Sequence, residues 1–566
     1  MPGSASPTPL TTLRRLRFPT SRPRPIAWSL RRVAALAFTA FFLMGVGWSL
    51  AMPVDATTDE RQHIIRAYGA VSGQILRPPA ADTMWHRPGA VYSVPRSLIP
   101  PNANCLYYPN YHQEKGYLAR SASCQQKPSA GRQRIPLTSW VGRYNPVYYL
   151  VVGLPLVPRP NVVGILASRV IACGLSAAFL ACAVAAGIRL GSRLMLAGVI
   201  LAFTPAAVAL ASAINPNGLE ITAAIALWTG LLALLRCPDE DLTARAATRL
   251  VAVCGTAGMT ILTLRALGPL WFALILAACG IVAVPGRIKV LSRMRAVRLW
   301  VAGLAAVGVL GVGWNLMSAN YTVLKTTLAL SPRDPRFAAL LRTIATRRVG
   351  GWLHELVVPD VAPDWLVFTW VGLTVAFVIP VLLIVERRRV LTTVCVLGGT
   401  LAFTVHTEIH YLRTLGWSQF GRYFLPAVVG GLFLPAADRA PRDETSERLL
   451  RLIAVSTAAC QLWVLGAEMT RAQAGPDAPI NPLVGAWHPL TGSLVPFTTE
   501  AVGLMLLCVL AWHSGIRETF HDSGVARGEA SDDQVRQPSE RRGIPVVRTA
   551  DDLTAGHRTY QYRSAR

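Results

Sequence analysis

The chain has 566 residues, 52% hydrophobic and only 15% charged, with 56 Lys and Arg against 30 Asp and Glu for a formal net charge of +26. Its mean hydropathy of +0.39 excludes an ordinary soluble domain and points to a polytopic membrane protein. The positive charge does not mark nucleic-acid binding, because the arginines gather at the ends of apolar runs and in short loops, where anionic lipid headgroups account for them.

In chain order, the first 29 residues carry Arg14, Arg15, Arg17, Arg22 and Arg24 with no acid, which predicts a cytoplasmic N-terminus. The apolar run Val33 to Met52 is too long for a signal-peptide core and has no clean small-residue cleavage site, so it reads as a retained signal anchor. Apolar length predicts an all-α fold with about twelve spans, near 30–52, 162–188, 194–212, 217–235, 250–264, 267–285, 299–316, 365–385, 390–406, 424–436, 449–466 and 500–513. An even count returns the C-terminus to the cytoplasm. The membrane domain is expected over 30–514, with a large first external loop at 53–161, and the polar tail 515–566 is expected to be cytoplasmic and disordered. Further external loops are expected at about 318–364, with an amphipathic stretch Ala338 to Val349, and at about 468–499.

The stretch Thr57 to Tyr68 follows the first span and holds two adjacent acids, a histidine and an arginine. If Thr57 or Thr58 caps a helix, Asp59, His63 and Arg66 share one face, while Ile64, Ile65 and Tyr68 form another. A carboxylate beside a base and a cation suits group transfer at a membrane lip. The same residues fit a plainer description, with Thr57 and Glu60 as a capping box and Asp59 complementing the helix dipole.

Farther along, Cys105 and Cys124 stand apart from the cysteines in apolar spans. In an external loop they are either a disulfide or two unpaired thiols. Tyr144-Asn145-Pro146-Val147-Tyr148-Tyr149 opens an apolar piece, Pro146 to Val157, too short to span. It either dips into or lies along the membrane, and its aromatics belong to an interfacial belt or line a groove for a lipid tail. Asn215-Pro216-Asn217-Gly218 is a turn signal, and Glu220 just inside the next span is costly unless it faces a cavity or a partner. Arg169 and Arg265, near span ends, read as snorkelling side chains. His406 and His410 at i, i+4 do not make a zinc motif, because Glu408 is misplaced for one. Gln419, Arg422 and Tyr423 open a later span, where Arg422 is placed to pair with a phosphate or with bulk lipid.

Four motifs in this order resemble the bacterial membrane-protein family called domain of unknown function 2142: Asp59-Glu60-x-x-His63-x-x-Arg66-Ala67, Asn145-Pro146-x-Tyr148-Tyr149, Asn215-Pro216-Asn217-Gly218 and Gly421-Arg422-Tyr423-x-x-Pro426. The chain departs from the family in two places. Asn217 stands in a turn that commonly holds an aspartate, and Thr58 and Arg61 flank the acids where Pro-Asp-Glu-Pro is usual. The family is in turn similar to GT-C-fold glycosyltransferases. That resemblance implies an inverting transfer of a sugar from a polyprenyl-phosphate donor to an envelope glycan or lipid acceptor on the external face. It implies Asp59 or Glu60 as general base, and His63, Arg66 and Arg422 as groups that offset phosphate charge. Tyr148, Asn217, Glu220, Gln419 and Tyr423 complete the candidate substrate-binding set. The residues do not demand a metal, although a divalent cation is compatible with the chemistry. Two other classes remain open from sequence, a flippase of lipid-linked glycans and a non-catalytic envelope scaffold.

Overall fold

The structure is a computed structural model, and it describes residues 28–81, 88–106, 120–128, 133–239, 241–318, 338–339, 341–342, 349–359, 362–415, 420–438 and 444–513. Gln419, the tail 515–566 and most of the stretch Ala338 to Val349 lie outside the described residues.

The helices in chain order are α1 Leu30–Ala51, α2 Glu60–Val71, α3 Pro146–Val152, α4 Val162–Arg189, α5 Arg193–Ala202, α6 Pro205–Ala211, α7 Pro216–Arg236, α8 Ala244–Leu264 and α9 Gly268–Ile281. They continue as α10 Arg287–Ser292, α11 Arg295–Met317, α12 Val349–Val357, α13 Asp364–Ile384, α14 Arg387–Leu415, α15 Leu425–Val428, α16 Gly430–Phe433, α17 Glu444–Ala474 and α18 Leu494–His513. Among the described residues nine helices (α1, α4, α7, α8, α11, α13, α14, α17 and α18) are long and apolar enough to cross a membrane. The count is ten if α5 and α6, bent by 69° at their break, form one span, and the shorter apolar α9 stands beside them.

Two of the expected spans take another form. The run 194–212 breaks at Thr204-Pro205: Thr204 caps α6 by accepting from Ala207 N at 3.2 Å, and Pro205 fills the first helical position without needing a donor. The run 424–436 folds as a 3₁₀ turn, Gly421–Phe424, followed by α15 and α16, because Pro426 and the Gly430-Gly431 pair interrupt it. Trp228 of α7 fills the space at Gly430, where a Cβ would come within 2.4 Å of the indole, and its Nε1 donates to Pro426 O at 3.0 Å.

Helix α7 is the hub. It packs on α4 and α8, and 94% of its apolar window is buried, whereas α11 is 6% buried and presents Leu299, Val309 and Leu310 outward. That contrast places α7 in the bundle interior and α11 against lipid. Helix α1 runs antiparallel to α18, their far ends joined by the stacked rings of Trp28 and His513.

Among the described residues the loop after α1 carries the one departure from an all-helical description. Strands β1 Pro79–Ala81, β2 Pro88–Pro95 and β3 Arg134–Ser139 form an antiparallel sheet in the order β1-β2-β3, with Tyr92 opposite Leu137. Ala90, Tyr92 and Val94 alternate inward and pack with Ile64, Ile65 and Tyr68 of α2, as the period of two requires. Cys105 and Cys124 form a disulfide. Asn145 caps α3 with Pro146 in the first turn. That short helix buries Tyr148, Tyr149 and Val152 while exposing Val147, Leu150 and Val151, an amphipathic arrangement suited to an interface.

Candidate active site

The four sequence motifs converge at one end of the bundle. The turn after α1 is fixed first. Arg169 of α4 is buried and donates to Ser49 O at 3.0 Å, Met52 O at 2.7 Å and Pro53 O at 2.9 Å. Its Nε donates to Glu60 Oε1 at 2.7 Å, and its Nη2 to the other carboxylate oxygen. Glu60 also accepts from Asp55 N at 3.2 Å and Ile214 N at 3.3 Å. Both residues are fully buried, and a charge pair survives there only because hydrogen bonds satisfy its remaining atoms. Arg169 therefore does not snorkel, and Glu60 forms no capping box with Thr57: it is an internal strut joining α1, α2, α4 and the turn before α7. Asn215 Nδ2 adds a bond to Thr58 O at 3.1 Å.

The strut presents Asp59. The residue itself, rather than Thr57 or Thr58, is the N-cap of α2, in the left-handed region at φ 65°, and its side chain makes no capping bond. A non-glycine residue there is strained, and such strain persists where surrounding contacts over-determine it. The freed carboxylate accepts from Arg422 Nη2 at 3.1 Å across 363 residues of sequence. The Asp59 side chain is 19% exposed and that of Arg422 7%, so the acid is the more reachable partner.

The remaining candidates divide by environment. His63 is buried and hydrogen-bonded through Nδ1 to Tyr149 OH at 2.7 Å. Desolvation lowers its pKa to about 3 against the raising influence of Asp59, with Arg265 and Arg422 pushing the same way as burial. It is thus neutral and offers no charge to a phosphate. Arg66 is consumed by Ile75 O at 2.9 Å, Tyr92 OH at 2.9 Å and Tyr144 O at 2.8 Å, which tie α2 to the sheet and to the lead-in of α3. Tyr148 lies in the core beneath α3, with its ring edge-on to Tyr149. Gln419 lies outside the described residues.

The residue that sequence reasoning missed is Arg265. It caps the end of α8 and turns inward, with its guanidinium carbon 4.1 Å from the Tyr423 ring centroid and Nη1 3.5 Å from Glu220 Oε2. Arg422 approaches the same ring at 5.2 Å and Phe420 at 4.0 Å. Tyr423 is therefore approached by two guanidiniums, each with its own carboxylate. Asn217 Nδ2 donates to Glu220 Oε2 at 3.4 Å, and Tyr144, whose pKa burial pushes up to about 12, shares the Arg265 side chain. The sequence signal for Arg265 was weak, since an inward arginine and a snorkelling one look alike at a span end.

Arg422 also lines a cleft, together with the apolar Trp48, Met52, Ala206, Ala209, Leu210 and Val358 and the polar Thr57, Thr58, Glu355 and Glu468. Glu355 is bonded to the backbone N–H of Gly421 and so fixes the turn carrying Arg422. Among the described residues no group of three or more His, Cys, Asp and Glu side chains is disposed to hold a metal ion.

Comparison with curated proteins finds no match. Among solved structures the chain is similar to ArnT from Cupriavidus metallidurans, in a structure bound to undecaprenyl phosphate, at 13% identity and a TM-score of 0.39 over 86% of this chain and 77% of that one. The model of the family described as "Predicted membrane protein (DUF2142)" matches residues 42–430, a stretch that contains all four converging motifs. With most of its length and all four converging motifs inside that match, the chain belongs to the DUF2142 family of membrane proteins.

Proposed function

We propose that this protein is a membrane group-transfer enzyme that moves a sugar from a polyprenyl-phosphate carrier to a hydroxyl on an envelope glycan or lipid, at the outer face of the cytoplasmic membrane. The observation that carries the reading is the Asp59–Arg422 pair, whose arginine lines a cleft of mixed apolar and polar residues. A prenyl chain suits the apolar lining residues and a hydroxylated group the polar ones. The arginines around Arg287 to Arg298, in α10 and the start of α11 beside the C-terminal end of α7, favour an outward-facing site at the other end, and the Cys105–Cys124 bond favours an oxidising compartment for the loop.

In this mechanism the phosphate of the donor takes over the Arg422 guanidinium, whose planar fork suits two phosphoryl oxygens. Asp59 is released from its partner and accepts the acceptor's O–H. The acceptor oxygen attacks the anomeric carbon as the bond from that carbon to the phosphate oxygen breaks. The electron pair leaves on the phosphate, held by Arg422, and the proton stays on Asp59. Attack opposite the leaving group inverts the anomeric centre. Glu60, sealed by Arg169, acts as the strut that holds Asp59 in its left-handed conformation, and neutral His63 positions the same turn through Tyr149.

Mass spectrometry of envelope glycans tests the reading. A deletion strain complemented with wild type is expected to regain a glycosylated species that Asp59→Asn fails to restore. Full restoration by Asp59→Asn would remove Asp59 from the chemistry.

A further inference from the structure

We infer that Asn217 and Glu220 form a hydroxyl-recognising subsite that selects an uncharged sugar over an acidic one. The inference rests on the group-transfer reading above and specifies which donor that site takes. Helix α7 is held by its Asn215 cap and by Pro216, and its first two turns carry Asn217 and Glu220, with Glu220 paired to Arg265 and Asn217 bonded to Glu220. Both side chains are buried, yet among the described residues Asn217 Oδ1 and Glu220 Oε1 have no hydrogen-bond partner. Two orphaned acceptors in a dry site cost about 1–3 kcal/mol each, which the fold recovers only when something brings donors. Sugar hydroxyls are donors of the right kind.

The position fits. Arg265 and Arg422 both approach the Tyr423 ring, at 4.1 Å and 5.2 Å, so a donor whose phosphate lies on Arg422 has its sugar within reach of Arg265 and its partner Glu220. An anionic sugar fares badly there. Arg265 is already matched by Glu220, and a second carboxylate brought to the pair would face the Glu220 carboxylate in buried, low-dielectric surroundings. The charge balance of the subsite therefore favours a neutral, hydroxyl-rich ring.

The test uses the full-length protein in lipid nanodiscs with farnesyl phosphate carrying either glucose or glucuronic acid. Binding is read by native mass spectrometry. Wild type is expected to bind the glucose carrier at least about tenfold more tightly than the glucuronate carrier. Glu220→Gln frees Arg265 to meet a sugar carboxylate, so the gap is expected to close to within about twofold. Asn217→Asp adds a second negative charge and is expected to widen it. Arg422→Gln is expected to weaken both carriers alike. Equal binding of the two carriers by wild type, or a gap unchanged in both Glu220→Gln and Asn217→Asp, would overturn the inference while leaving the group-transfer reading intact. If neither carrier binds more tightly than farnesol, or if Arg422→Gln leaves both affinities unchanged, the group-transfer reading itself fails.

Discussion

Arg169 and Glu60 form a fully buried ion pair that joins α4 to the first turn of α2, and Asp59 is held in a left-handed conformation beside it. The strut and the presented acid are adjacent in sequence but differ in environment: one is sealed on every side, the other reaches Arg422, which lines a cleft.

Removing one member of the strut leaves the other charged and buried. Arg169→Leu or Glu60→Ala is expected to cost about 3–5 kcal/mol, and the double replacement Arg169→Leu with Glu60→Leu less than the sum of the two. Thermal unfolding in detergent measures this. A loss under about 1 kcal/mol for Arg169→Leu would contradict a structural role for the pair.

Two groups in the same turn give opposite pH slopes. His63 has its pKa lowered to about 3 by burial, so the unfolded chain protonates first as pH falls. Its contribution is fully present above about 6.5 and shrinks between about 6.5 and 3. Asp55 has its pKa raised to about 7 by burial, so the folded state holds a proton the unfolded chain has lost, and its contribution fades as pH rises from about 3.8 to 7. Stability curves of His63→Gln and Asp55→Asn against pH should each lose one of these slopes. Parallel curves for wild type and either variant would refute the assignment for that residue.

Gly430 admits the Trp228 indole at a distance no Cβ tolerates. Gly430→Ala is expected to destabilise by about 1–3 kcal/mol through overpacking, with Trp228→Phe relieving part of the cost. Unchanged unfolding of Gly430→Ala would show that the contact gives way freely.

Cys105→Ser is expected to lower the stability of the first loop by about 2–4 kcal/mol, and non-reducing proteolysis should cut that loop sooner. Equal cleavage rates with and without the bond would mean that the sheet and α2 hold the loop unaided.

Much of this architecture was legible in the chain. Apolar length located the long spans, and four separated motifs marked the segments that meet. Length alone failed at 424–436, where Pro426 and Gly430-Gly431 break the helix without lowering the hydrophobicity. The small sheet was missed because β2 and β3 are short, proline-bearing and far apart in sequence. The roles of the arginines were least readable. Arg169, Arg265 and Arg422 all sit near span ends, and only packing separates the strut, the residue stacked on Tyr423 and the partner of Asp59. Glu60 and Asp59, equal candidates by type and place, are told apart by the conformation of one residue.

The most direct test of the central claim is the rate at which purified protein releases prenyl phosphate from a sugar-bearing carrier in a single turnover, compared between wild type and Asp59→Asn at matched carrier occupancy. Loss of a positioned general base is expected to slow release by about 10²–10⁴-fold with carrier affinity nearly unchanged. Release by Asp59→Asn at the wild-type rate would contradict the account.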